Sequence, residues 1–152
     1  MKEQRRGHRI AMTSEERDAF LGSERTCRVA SVGRDGAPHV SPLWFAWDGA
    51  SLWLTSVVKS QRWTDLQRDN RVSVVVDAGL EFTDLRGVEV RGVAAPVGEM
   101  PRVGKREPEL EIPERLYADK YGSGQIYHDG RHAWLRITPE KVVSWDFRKM
   151  LV

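Results

Sequence analysis

Apolar and polar positions divide the chain into short strands with little helix between them. Arg71 to Asp77 reads Arg-Val-Ser-Val-Val-Val-Asp, an almost unbroken branched apolar run of the kind covered on both faces. Leu85 to Val97 sets Val88 and Val90 against Glu89 and Arg91, which predicts a longer strand, with Gly87 and Gly92 marking bends or a bulge. Arg28–Val32, His39–Trp47 and Ser51–Ser56 are separated by turns at Gly33–Gly36 and Asp48-Gly49, predicting a three-stranded meander. Ala133–Thr138 and Val142–Phe147 make two last strands around Pro139-Glu140. Thr13-x-x-Glu16 is a capping box ahead of Phe20 and Leu21, so a short helix starts there. Gln61–Arg68 predicts two helical turns, with Trp63 and Leu66 on one face. Pro96–Pro113 is acidic and irregular, and a helical stretch follows through Arg115, Leu116 and Tyr121. Seven short strands and three short helices, mostly antiparallel, predict a mostly β fold that closes into a barrel.

At 152 residues the chain is expected to be one domain. Its 40% hydrophobic and 30% charged residues make an ordinary globular mixture, and no run approaches the roughly 20 apolar residues of a membrane span. Residues 1–12 read as a flexible basic arm carrying Lys2, Arg5, Arg6 and Arg9, without the apolar stretch of a secretory signal. Cys27, the single cysteine, rules out an intrachain disulfide and a thiolate cluster, which fits a reducing cytoplasm. A net charge of +2, with acids such as Asp65 and Asp69 among the basic residues, gives no nucleic-acid signal. Six tryptophans exceed what so small a core needs, so some are expected to line a pocket or an interface.

Common side-chain chemistries are missing. Gly122-Ser123-Gly124 lacks the third glycine of a dinucleotide fingerprint, and the sequence has no phosphate loop and no Gly-x-Ser-x-Gly elbow. His128 and His132 are separated by the helix-breaking Asp129-Gly130 and read as exposed loop histidines, so no metal site is expected. Glu107, Glu109, Glu111 and Glu114 read as a solvated face. No catalytic side chain is assigned. A protein without its own acid–base or nucleophilic apparatus suits a cofactor that carries the chemistry and asks for grip and orientation.

Two segments have the composition for that grip. Lys59-Ser60-Gln61-Arg62 lies where a strand passes into a helix, so an ammonium, a hydroxyl and a guanidinium meet free N–H groups and suit a phosphate. A Ser60 helix cap beside solvated Lys59 and Arg62 has the same letters. In His39-Val40-Ser41-Pro42-Leu43-Trp44-Phe45, alternation puts Val40, Pro42 and Trp44 on one face and Ser41, Leu43 and Phe45 on the other. Pro42 implies an edge or an interruption, which frees backbone groups for a flat polar ring.

At these residues the chain resembles the flavin-binding split-barrel superfamily that includes pyridoxamine 5′-phosphate oxidase, and most closely its actinobacterial coenzyme F420-dependent branch. The likeness runs from about Thr26 to Lys149. It rests on Arg28-Val29-Ala30-Ser31-Val32, Asp35-Gly36-Ala37-Pro38-His39, Pro42-Leu43-Trp44-Phe45, Leu52-Trp53-Leu54-Thr55, Lys59-Ser60-Gln61-Arg62, Leu66 to Val72 and Ser144 to Lys149, in that order and spacing. It implies a Greek-key split barrel of six to seven antiparallel strands, paired as a homodimer with cofactor sites across the interface. By this likeness Lys59, Ser60 and Arg62 grip the cofactor phosphate. His39, Ser41, Pro42, Leu43 and Trp44, with Thr55, Ser56 and Val57, line the ring. Trp145, Arg148 and Lys149 reach in from the partner.

The sequence also departs from the family. Many relatives have Lys at the position of Arg62 and Asn at that of Asp65, which either weakens the phosphate grip or points away from it. The chain closes Trp-Asp-Phe-Arg-Lys rather than with the oxidase's Arg-Leu-x-Pro, so vitamin B6 oxidation is not expected. The resemblance implies a cytoplasmic oxidoreductase that passes a hydride from reduced coenzyme F420 to a small unsaturated organic acceptor. The alternatives are an FMN-dependent enzyme of the same fold and a non-catalytic flavin or tetrapyrrole binder. Neither a nucleic-acid nor a membrane partner is expected.

Overall fold

In the computed structural model, which describes residues 1–151, the capping box opens the first helix. The Glu16 amide donates to the Thr13 hydroxyl at 3.2 Å, and the Thr13 amide donates to the Glu16 carboxylate at 2.8 Å. The helix they start, α1 (Ser14–Ser23), turns Phe20 and Leu21 into the core. Then follow β1 (Cys27–Val32), β2 (Pro38–Leu43), β3 (Phe45–Trp47), β4 (Leu52–Val57), α2 (Gln61–Arg68), β5 (Arg71–Ala78), β6 (Arg86–Val97), α3 (Glu111–Tyr121) and β7 (His132–Asp146). The strands form one antiparallel sheet in the order β2-β1-β5-β6-β7-β4-β3. It curls as a split barrel around a main core that includes Val29, Leu52, Leu54, Val74, Val88 and Ile137. A smaller cluster of Ala46, Trp53, Leu110 and Trp134 lies on the opposite face, covered by α3.

The predicted number of strands arises from two compensating differences. His39–Trp47 is not one strand: β2 pairs with β1 at one edge of the sheet and β3 with β4 at the other, so the chain changes edges at Trp44. Pro42 lies on edge strand β2, where its missing N–H costs no ladder bond. At the other end, Ala133–Thr138 and Val142–Phe147 are parts of the single strand β7. Arg91 faces Lys141 and Gly92 faces Pro139, so Glu140 is the extra residue of a bulge. Gly92 is required there, because a Cβ would lie 2.0 Å from the Thr138 carbonyl oxygen.

Residues 1–12 run against β7 rather than standing off in solvent. Lys2 N–H donates to Glu140 O at 2.7 Å, the Ser144 amide donates to Gln4 Oε1 at 3.0 Å, and the Met12 amide donates to Ser144 Oγ at 3.0 Å. Of the tryptophans, 47, 53, 63 and 134 are buried; Trp44 is exposed and stacks on Tyr121, with ring centroids 4.3 Å apart. No described helix is long and apolar enough to cross a membrane.

Candidate cofactor site

The strand-to-helix turn gathers residues from three elements. Ser60 caps α2, its hydroxyl accepting from the Trp63 amide at 3.1 Å. Two residues on, Arg62 lies across the ends of β2 and β4: Nη1 donates to Ser41 Oγ at 2.7 Å, while Nε and Nη2 donate to Ser56 Oγ at 3.3 and 3.2 Å. Ser56 Oγ is 3.3 Å from Ser60 Oγ. Every hydrogen-bond partner of this half-buried guanidinium is a neutral hydroxyl, and among the described residues no carboxylate forms a salt bridge with it. Burial lowers its pKa below the ordinary guanidinium value, as expected for a cation taken from water without a counter-charge. Together with the free amides of the first turn of α2, this makes a cradle for an anion.

Asp65, the departure from the family pattern, does not compete for that cradle. Its buried carboxylate accepts from Gln61 Nε2 at 2.8 Å and from Arg68 Nη2 at 2.9 Å, and these bonds hold its pKa down. The Gln61 bond acts most strongly.

The other predicted residues spread around this centre. Lys59 and His39 are exposed, Pro42 and Trp44 face outward, and Leu43 packs on the main core. Thr55 turns to the face opposite Ser56 and lines a cavity of about 170 Å³ beneath α3. Trp145, Arg148 and Lys149 are engaged elsewhere within their own chain. Trp145 packs over Gly87, Arg148 forms a two-pronged pair with Asp146 at 2.8 and 2.6 Å, and Lys149 bonds to Ala11 O and Glu16.

The cavity was not legible in the sequence. Tyr117 and Trp134 wall it with their rings edge to face, centroids 5.4 Å apart. Glu114 is buried, not part of a solvated face: it accepts from buried Arg102 Nε at 2.7 Å and from His128 Nε2 at 2.8 Å. Arg102 also pairs with Glu99 and donates to Lys105 O. His132 Nδ1 donates to Asp129 Oδ2 at 2.6 Å. Burial works against the Asp129 charge, but the Arg131 and His132 amides and the His132 ring outweigh it and hold the pKa at about 2. Asp129 is therefore the acceptor, and Nδ1 carries the proton. The one signal available beforehand was the Asp129-x-x-His132 spacing.

With this geometry in hand, known proteins supply context. The family model described as pyridoxamine 5′-phosphate oxidase matches residues 13–146. A conserved hypothetical protein of Mycobacterium tuberculosis is 29% identical with a TM-score of 0.82, covering 98% of this chain and 94% of its own. An F420 reductase is 23% identical with a TM-score of 0.60, covering 82% and 94%. An FAD-binding protein of Mesorhizobium loti is 22% identical with a TM-score of 0.67, covering 88% and 93%. These last two likenesses show a common fold. No curated protein matches the chain.

Proposed function

Because the chain belongs to the pyridoxamine 5′-phosphate oxidase family, we propose that it is an oxidoreductase working with a flavin-type cofactor, coenzyme F420, on a conjugated organic acceptor. The observation that carries the reading is Arg62, a half-buried cation held by three hydrogen bonds to two hydroxyls with no acid beside it. A phosphate supplies the missing charge, and a guanidinium fork suits its oxygens. In this reading Arg62, Ser60 and the first-turn amides of α2 hold the phosphate, with Lys59 adding charge from outside. His39 to Trp44 and Thr55 to Val57 line the ring. Edge strand β2 has ladder bonds only to β1, so its outward N–H and C=O groups are free to meet the polar edge of the ring.

When bound, the cofactor supplies a carbon that gives up a hydride, and the protein's part is to align the acceptor at about 3–3.5 Å from it. The reading includes a homodimer in which Trp145, Arg148 and Lys149 of a second copy close the site. Equilibrium titration with coenzyme F420 and with FMN tests the cofactor. Tighter binding of F420 supports the proposal; submicromolar FMN binding without F420 binding replaces it with an FMN enzyme. Sedimentation of the full chain tests the dimer, and a cofactor-binding monomer removes the second copy from the site.

A further inference from the structure

The N-terminal arm docks against charge of its own sign. Lys2 bridges Lys141 of β7 in parallel, and Lys141 in turn faces Arg91 of β6. Cross-strand neighbours share one face of a sheet, and like charges directly opposite destabilise it. At the usual strand spacing the three Cα positions lie within ~10 Å. Arg91 has an acid partner, Glu89 at 2.6 Å, but among the described residues no carboxylate is in salt-bridge reach of Lys2, Arg5 or Lys141. The cationic row is also short. Beyond Arg91 it continues as Ser73 and Ala30, both uncharged.

These residues line an open cleft of about 820 Å³ between the arm and the sheet. Lys2, Arg5, Arg91 and Lys141 bring four cations to it, and Glu3 is the single lining carboxylate. An adjoining hollow shares Lys2, Glu3, Gln4 and His8 with the cleft and is walled by Arg17 of α1. Arg17 Nε is buried without a hydrogen-bond partner, and Asp18 Oδ1 stands off at 3.9 Å. Excess positive charge beside an orphaned guanidinium nitrogen calls for an anion. Every residue lining the cleft is polar or charged, so it offers no apolar anchor to a protein partner. The row ends too soon to track the continuous charge of a nucleic-acid backbone. A lone phosphate cannot span it. A short chain of linked phosphates can, and the Arg5 and Arg91 forks suit its oxygens.

We propose that this cleft is an anion site separate from the Arg62 cradle, binding a short chain of linked phosphates of the kind carried by a nucleoside triphosphate or by free tripolyphosphate. Lys2, Lys141 and Arg91 take successive phosphates, and Arg5 adds charge from the arm. The two sites share no residue: the arm, β6 and β7 build this one, while β2, β4 and α2 build the cradle. The Lys2 amide donates to Glu140 O at 2.7 Å, which holds Lys2 in line with Lys141. A bound polyanion removes the repulsion along the row, so anion and docked arm stabilise each other.

The test is calorimetric titration of the full chain, without cofactor and at about 0.15 M ionic strength, with tripolyphosphate, ATP, orthophosphate, triglutamate and a short oligothymidylate. Tripolyphosphate and ATP are expected to bind about ten-fold more tightly, or better, than orthophosphate and triglutamate. Equal affinity for the first two places recognition in the phosphate chain; tighter ATP adds the nucleoside to it. Lys2→Gln and Lys141→Gln should each weaken tripolyphosphate by about ten-fold, the low end for a charge-assisted bond. Arg62→Met should leave it within about two-fold, because the cradle is elsewhere. Without ligand, Lys141→Gln should melt no lower than the unaltered protein, since one like-charged neighbour is gone; a lower melting point contradicts the repulsion from which the site is inferred. Absent tripolyphosphate binding, or orthophosphate or triglutamate binding as tightly, overturns the proposal. So does binding lost in Arg62→Met and kept in Lys141→Gln, which puts the anion in the cradle. Oligothymidylate binding more tightly than tripolyphosphate replaces the site with a nucleic-acid surface.

Discussion

Replacing Arg62 by Met should affect cofactor affinity and apo stability very differently. The guanidinium makes one short bond, 2.7 Å to Ser41 Oγ, and two long ones, 3.3 and 3.2 Å to Ser56 Oγ. Hydrogen bonds made by a charged group contribute about 1.5–3 kcal/mol at good geometry, and the two long ones less. Against them stands the cost of a half-buried charge with no acid partner, also of order 1–3 kcal/mol. Methionine keeps most of the apolar stem, and Ser56 Oγ keeps Ser60 Oγ nearby. The two contributions nearly cancel, so apo stability should change by no more than about 1 kcal/mol, or about 2–4 °C in Tm for a chain of this size. Cofactor binding loses a charged hydrogen bond, about 1.5–3 kcal/mol, which is roughly ten- to 150-fold in Kd. Arg62→Lys keeps the charge but loses the fork and should fall between. Thermal unfolding without cofactor and equilibrium titration with it measure the two effects. Wild-type cofactor affinity in Arg62→Met, at a Tm showing the protein folded, would refute the anion-cradle argument.

Other substitutions probe the elements that support the site. Glu114→Ala strands buried Arg102 and should cost about 3 kcal/mol, the low end for breaking a buried pair because Glu99 remains; a urea midpoint within error of wild type contradicts the pairing. Gly87→Ala puts a Cβ 2.4 Å from Cζ2 of Trp145, so the indole must move. The expected cost is about 1–3 kcal/mol, with a changed tryptophan emission and weaker cofactor binding if Trp145 completes a second copy's site. Lowering pH removes stability from acids whose folded pKa is depressed. Asp129, held at about 2 against an ordinary 3.8, contributes fully above pH 3.8, and the contribution drains away as pH falls through about 2. Asp129→Asn should therefore lessen the fall of the urea midpoint across that interval, Asp69 at about 2 supplying part of what remains, and an unchanged slope would show that its bonds to the Arg131 and His132 amides and the His132 ring do not hold in solution.

Local signals carried far in this sequence. The capping box, the Asp-Gly turn and the extent of α2 are set by neighbours within a few residues, so their chemistry can be read directly. Ser60 and Arg62 belong to that class, and strand alternation set Ser41 on the face opposite Val40 and Pro42, which is where Arg62 meets it. What long-range pairing decides was hidden. Nothing near Trp44 says that the chain crosses there from one sheet edge to the other. Pro139-Glu140 looks like a turn unless Gly92 is known to oppose it and admit a bulge. The cavity was the least visible part. Arg102, Glu114, Asp129 and His132 come from an irregular segment, a helix and a loop with no common period, and Glu114 looked solvated until Arg102 covered it. The docking of residues 1–12 likewise depends on Gln4 meeting the Ser144 backbone, a pairing of chain ends that composition does not record.

A structure of the protein saturated with its cofactor tests the central claim most directly. The account predicts a phosphate oxygen within about 3 Å of the Arg62 guanidinium, beside Ser60 and the first turn of α2. A cofactor whose phosphate lies away from that turn, with Arg62 still bonded only to Ser41 and Ser56, would contradict it.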